Sequence, residues 1–341
     1  VADQYDTSTL LSVVNELQPF EPFLLNMFFP DVVNFETSTI DFDVVSDNME
    51  LAPFVSPLVA GKADKANGGE LRKFKPAYVK PKEVVDPERV IKRRAGEPLG
   101  GGGLMSPDQK RNAIIADILE NQLKRIMMTK EWMAAQALLT GKVTVVGEDY
   151  PEVEVDFQRA AGNTIALAGI LTWDVANLLT ADPVGDIENW GAIAEAPITK
   201  LVFDKLAWKD FIRFQAVKDL MDTRRGSQSQ LELGPDNGRN FSYKGMLGAD
   251  IECWVYSGYY KDAAGTKQNY MPDNTVIAGS GAVEGTRAHG AILDGQAGYR
   301  AMEFFPKNWM QEDPAVEYVM SQSAPLMIPK RPDAIVTATT K

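Results

Sequence analysis

The segment from Ser106 to Lys142 constrains this chain more than any other. Ser106 suits a helix N-cap, Pro107 the first helical position, and Gln109 completes an S-x-x-Q capping box. Apolar residues then recur at Ile115, Ile118, Leu119, Leu123, Ile126, Met127, Met133 and Leu138, a helical period and not a strand period. Gly141 and Lys142 supply a stop after Thr140. The pattern predicts a helix of roughly 34 residues, about 50 Å long and longer than most helices of globular proteins. A helix of that length is a structural backbone.

The chain has 341 residues, enough for roughly two domains. Its apolar and charged fractions, 45% and 24%, are those of an ordinary globular protein. No apolar run is long enough for a bilayer-spanning helix. The opening VADQYDTSTLL lacks the basic and apolar regions of a secretory signal. Cys253 is the single cysteine, so no intrachain disulfide is possible.

The net charge of −12 argues against a nonspecific nucleic-acid binder. Its distribution says more. Residues 1–50 hold ten acids and no Lys or Arg, whereas residues 62–94 hold eleven bases against five acids. Two solvated or mutually neutralising surfaces within one subunit explain this; so does steering of neighbouring copies in an assembly.

In PFEPFLLNMFFPDVV, Pro19, Pro22 and Pro30 rule out one long helix and leave an extended arm with short turns. Phe20, Phe23, Phe28 and Phe29 need burial, in the subunit's own core or against a partner. Residues 50–94 read as a two-stranded hairpin. LAPFVSPLVAG enters, Asn67-Gly68-Gly69 turns, and ELRKFKPAYVKPKEVV returns. Pro53, Pro57, Pro76 and Pro81 confine these strands to an edge or a free-standing position. After the long helix, KVTVVGEDYPEVEVDF reads as a strand pair and ITKLVFDKLAWKDFIRFQAVKDLM as a strand then a helix. IECWVYSGYY, NTVIAGS and EYVMSQSAPLMI read as further strands, giving an α+β class with one dominant helix.

Candidate chemistry is thin. In GEPLGGGGLMSPDQKRN the glycines suggest a phosphate loop, but Lys110 lies inside the helix and not directly after Gly103. A flexible joint at Gly100, Gly101, Gly102 and Gly103 explains the run better. NTVIAGSGAVEG resembles a dinucleotide fingerprint at Gly279, Gly281 and Gly285, yet no clear amphipathic helix follows. A catalytic triad would rest wholly on His289, the only histidine, and no G-x-S-x-G elbow exists. One His and one Cys exclude a His/Cys zinc cluster, and Cys253 reads as a buried strand residue. Glu148, Asp149, Glu152, Glu154 and Asp156 offer carboxylates to a hard cation, but alternation makes the last three a solvated strand face. Arg224 and Arg225 sit beside a helix end, where they cap it or pair with a neighbour's carboxylates.

The phrases FVSPLVAG, GGELRKFKPAYVKPKEVVDP, VFDKLAW, DTRRGS, SYKGM, VYSGYY, MPDNT, PKNW and QSAPLM, in that order, carry a resemblance. The chain resembles the major capsid (major head) proteins of lambda-type tailed bacteriophages, the phage capsid E family. The similarity covers most of residues 50–330 and is loosest over the first 50 residues and the glycine run.

The resemblance implies the α+β capsid fold of tailed phages and herpesviruses. On that pattern residues 1–49 form an N-terminal arm, 50–95 an E-loop hairpin, and 96–105 a Gly-rich hinge. Residues 106–196 form the spine helix and peripheral domain, 197–305 mainly the axial domain, and 306–341 closing strands. It further implies hexamers and pentamers closing into an icosahedral shell around double-stranded DNA, assembled in the bacterial host cytoplasm. The implied partners are a decoration protein, a scaffolding protein and a portal, with no membrane, cofactor, metal or catalytic residue. No long charged helix precedes the arm, which points to a separate scaffolding protein. Lys62, Lys65 or Lys73 fit an isopeptide crosslink of some related capsids, but lambda-type shells rely on decoration, so none is expected. Inter-subunit contacts are expected at Phe54, Arg72, Lys73, Phe74, Lys75, Tyr78, Arg224 and Arg225. Two alternatives stay open: a cargo-holding nanocompartment of the same fold, and a nucleotide-binding enzyme using the glycine run.

Overall fold

A computed structural model describes residues 21–37, 39–45, 69–74, 76, 78–91, 106–147, 150–194, 196–222, 240–248, 250–262, 264–313 and 316–341. The described chain opens with α1 (Phe23–Phe28), kept short by Pro22 and Pro30 on either side. Strands β1 (Asp31–Phe35), β2 (Ile40–Val45), β3 (Gly69–Phe74) and β4 (Lys82–Val85) follow, then the short α2 (Pro87–Ile91). The long helix α3 (Pro107–Thr140) has the bounds its caps predict. Ser106 Oγ accepts from the Gln109 N–H at 3.2 Å, and Gln109 Oε1 accepts from the Ser106 N–H at 2.9 Å. Gly141 closes the helix in the left-handed region, φ 69°, where a glycine pays no Cβ penalty.

Beyond α3 lie β5 (Lys142–Gly147), β6 (Tyr150–Asp156), β7 (Thr164–Ala166), α4 (Pro183–Ile193), β8 (Lys200–Asp204), α5 (Lys205–Phe211) and α6 (Gln215–Asp222). They are followed by β9 (Phe241–Leu247), β10 (Ile251–Tyr256), β11 (Tyr259–Lys261), β12 (Lys267–Asn269), β13 (Thr275–Gly279) and β14 (Thr286–Gly290). The chain closes with β15 (Phe305–Gln311), β16 (Val316–Gln322), β17 (Pro325–Ile328) and β18 (Val336–Thr339). The largest sheet has the order β7-β18-β13-β8-β10-β9, and two three-stranded sheets have the orders β1-β14-β17 and β15-β16-β4. Strands β2-β3, β5-β6 and β11-β12 form two-stranded ribbons.

The two halves of α3 sit in different cores. Ile114, Ile115, Ile118, Leu119 and Ile126 pack with Val85, Phe304 and Val319 of the β15-β16-β4 region. Met133, Ala134, Ala137 and Leu138 join a larger core with α1 and the β1-β14-β17 sheet. A further core, rich in aromatics, fills the space between the six-stranded sheet and α4, α5 and α6. Arg159 secures the far end of α3, donating to the carbonyls of Leu138 at 2.5 Å and Leu139 at 2.6 Å. A cation there complements the helix dipole, and burial pushes the guanidinium down to about 10.

The hairpin needs correction. Strand β3 pairs antiparallel with β2, Ile40 opposite Phe74 and Val45 opposite Gly69, a partner that lies before the segment read as the entering strand. IDFDVV alternates without proline, whereas Pro53 and Pro57 remove donors from the segment first assigned as the partner. Residues 46–68, with Phe54 and the Asn67-Gly68 turn, lie outside the described residues. The returning segment is not one strand either: β4 leaves the ribbon and pairs antiparallel with β16. The register sets Asp41 opposite Lys73 and Phe42 opposite Arg72, so an acidic strand and a basic strand meet within one subunit.

Candidate functional site

The most heavily constrained locus is the berth of α1. Helix N-termini leave N–H groups without intrahelical partners, and Pro22, at the N-cap, gives no side-chain bond. Glu131 of α3 takes that role from more than a hundred residues away. Its Oε1 accepts from the N–H groups of Phe23 at 3.1 Å and Leu24 at 2.9 Å, and its Oε2 from that of Leu25 at 2.9 Å. The Tyr256 hydroxyl donates to the same carboxylate at 2.8 Å. Burial pushes the Glu131 carboxyl above its ordinary range, against the pull of these donors.

Arg287 of β14 holds the other end of α1. It donates to the Phe29 carbonyl at 2.7 Å, the Leu25 carbonyl at 3.2 Å and Asn26 Oδ1 at 2.7 Å. An anion at the N-terminus and a cation at the C-terminus oppose the helix dipole at both ends. Phe23, Phe28 and Phe29 are buried in the subunit's own core, which resolves the choice left open for three of the four phenylalanines of PFEPFLLNMFFPDVV; Phe20 lies outside the described residues.

Gly285, one of the fingerprint-like glycines, belongs to this berth. A Cβ there would collide with the Phe28 carbonyl oxygen and lie 2.6 Å from the Phe29 ring. Its place in the sequence reflects a close backbone approach and no nucleotide. Gly285→Ala is expected to displace α1 and destabilise the subunit by about 2 kcal/mol. Limited proteolysis should then cut within residues 23–29 sooner than in the parent chain; an unchanged pattern would refute this.

Beneath the berth lies a charge cluster that reaches from the core to the surface. Lys130, fully buried, pairs with Glu303 at 2.7 Å. His289 is fully buried, and neither ring nitrogen has a hydrogen-bond partner among the described residues. Burial, reinforced by the Lys130 charge, pushes its imidazole down to about 3, so it is neutral near pH 7. Cys253 sits in the separate aromatic-rich core, and burial pushes its thiol up to about 12. Glu154 and Asp156 form an outward strand face and pair with Lys142 at 2.9 and 3.0 Å.

Of the residues expected at inter-subunit contacts, the side chains of Phe74 and Tyr78 are among those described. Phe74 is buried at 6% exposure in the subunit's own core, opposite Ile40 where β3 meets β2. Tyr78 is half-buried and its hydroxyl donates to the Ala291 carbonyl at 2.6 Å. Arg72 and Lys73 lie on β3, where the backbone alone is described. Phe54, Lys75, Arg224, Arg225 and Gly100, Gly101, Gly102 and Gly103 lie outside the described residues.

Sequence reasoning missed Glu131, Arg287 and Arg159. A signal for the first was present: Lys130 and Glu131 interrupt the apolar stripe between Ile126 and Ala134. Charges in a buried helical stripe demand partners.

This architecture is that of a phage capsid subunit. The crystal structure of a prophage capsid protein from E. coli CFT073 superimposes with a TM-score of 0.78, at 31% identity and with 100% of both chains covered. A phage-related protein from Bordetella bronchiseptica RB50 shares the fold at 10% identity, with a TM-score of 0.58 over 98% of this chain and 97% of that one. Residues 6–340 match the family described as phage major capsid protein E, and the chain belongs to that family. It is 39% identical to the major capsid protein of Escherichia phage N15 and 38% identical to that of Escherichia phage lambda. Each match runs over 338 residues and covers 98% of both chains. It is therefore a structural protein of the virion and not an enzyme.

Proposed function

We propose that this chain builds the icosahedral head of a tailed phage, as hexamers and pentamers enclosing double-stranded DNA. The end-to-end likeness to the major capsid proteins of phages N15 and lambda carries this reading. In it, α3 is the spine helix and the β2-β3 ribbon is the base of an E-loop that reaches an adjacent subunit. Arg72, Lys73 and Lys75 then lie near acids of that neighbour, and Arg224 and Arg225 near its carboxylates. Gly100 to Gly103 form a hinge between loop and spine. Assembly takes place in the host cytoplasm with scaffolding, portal and decoration proteins, and the net acidic subunit encloses DNA without reading its sequence.

Electron microscopy of particles from cells expressing the chain with its own head proteins tests this. Closed DNA-filled shells with the β2-β3 loop resting on an adjacent subunit are the expected result. Particles filled with protein cargo, or a loop folded back on its own subunit, would overturn the corresponding part.

A further inference from the structure

Residues 169–180, between β7 and α4, hold five large apolar side chains in the open: Ile170, Leu171, Val175, Leu178 and Leu179, the last of them 100% exposed. A slack loop would fold these inward, but this one is fixed. Trp173 in its middle is fully buried, stacks on Trp190 at 5.6 Å, and donates its indole N–H to Asp186 at 2.8 Å. Asn177 Nδ2 donates to the carbonyls of Gly169 at 3.0 Å and Thr172 at 3.2 Å. The loop backbone is tied to the end of β18, from Leu167 N–H to Thr339 O and from Trp173 N–H to Thr340 O, both at 2.9 Å.

The loop's one charge, Asp174, pairs with Lys341 at 3.2 Å. A rigid, neutral, apolar projection suits a protein partner. A phosphate backbone or an anionic membrane surface would call for bases.

The opposite edge of the same sheet offers a different surface. Strand β7 ends the six-stranded sheet on one side and β9 on the other, among the described residues. An aromatic row runs outward to β9. Phe23 stacks on Phe241 at 4.6 Å, Phe241 lies 6.3 Å from Trp254, and Trp254 packs against Tyr243 at 5.0 Å. Tyr243, at the outer end, is 44% exposed. Half-covered aromatics of this kind seat apolar anchors. Two unlike surfaces at opposite edges of one sheet join head to tail, and head-to-tail contacts close into rings when the rotation allows.

We infer that loop 169–180 docks on a second copy of this chain, at the β9 edge beside Tyr243. The inference rests on the shell reading above and assigns that reading a specific contact.

Two variants test it in the full chain. Ile170→Asp with Leu179→Asp alters side chains already in water, so the unfolding midpoint should hold. Assembly into particles should fall at least about tenfold, as one lost hot spot implies. Normal assembly would overturn the inference. Leu179→Cys with Tyr243→Cys, oxidised in solution oligomers or particles, should give a ladder of covalent multimers, and each single variant should stay monomeric on a denaturing gel. The native thiol of Cys253 is buried and gives little background. Dimers from Leu179→Cys alone would show a like-to-like contact and overturn the head-to-tail arrangement. A parent chain that never forms shells would count against the shell reading, while the ladder in solution oligomers would still decide the contact.

Discussion

Glu131→Ala should release α1 and lower subunit stability by about 4 kcal/mol, the range for truncating one member of a buried charged network. The substitution removes the acceptor of three backbone N–H groups and of the Tyr256 hydroxyl, all in a place water does not reach. Each orphaned donor retains its desolvation cost, and Pro22 offers no cap in exchange. Chemical denaturation of purified subunits measures the loss. Glu131→Gln separates charge from geometry, because its one carbonyl oxygen can still accept from Phe23, Leu24 and Tyr256 while its amide faces the Leu25 N–H. The glutamine variant should fall between parent and alanine. Equal stability of all three would show that the berth does not depend on this carboxylate.

Acid should weaken the subunit through His289. Its folded pKa, about 3, lies below the unfolded value for histidine of about 6.5. Between those values the unfolded chain binds a proton that the native state refuses. Stability therefore falls as pH drops from about 6.5 toward about 3, by up to about 1.4 kcal/mol per pH unit, and is unaffected by this group above pH 7. The charges of Lys130 and Arg287 oppose the extra cation, while Glu303 favours it until it is itself protonated. Burial raises the Glu303 carboxyl, but the charge and hydrogen bond of Lys130, with the charges of His289 and Arg287, together hold it below its ordinary range, so its contribution to stability is also lost in acid. Glu131 acts with the opposite sign: its raised carboxyl takes up a proton in the native state first, stabilising the fold as pH falls toward the unfolded value. Comparing His289→Leu with the parent removes the shared contributions. The leucine variant should lose about 3 kcal/mol less between pH 7 and pH 4. Parallel pH profiles would contradict the assignment.

What could be read from the sequence follows the range of the interactions. Helix α3 was legible to the residue because its caps are local: Ser106, Gln109 and Gly141 lie within one turn of the groups they satisfy. The β5-β6 pair was legible for the same reason, its strands being adjacent in sequence. The partner of β3 was not, because a partner beyond residues 46–68 is chosen by pairing energetics and leaves no local mark. Phe74 alternates with basic residues in a way that suits an outward contact as well as an inward one. Only the packing against Ile40 decides its face. The need of Phe23, Phe28 and Phe29 for burial was plain, but the place was not. Glu131, Gly285 and Arg287 make that place, and they come together only in three dimensions.

Because α3 enters one core with Ile114 and another with Leu138, it works as a beam let into two walls. A tilt of about one degree at one end of a helix about 50 Å long moves the other end by nearly an ångström. Close-packed interiors do not absorb such a shift by continuous yielding. The wall holding Val319 and the wall holding α1 must therefore turn together or the beam must bend, so strain applied at one face of the subunit is delivered at the other.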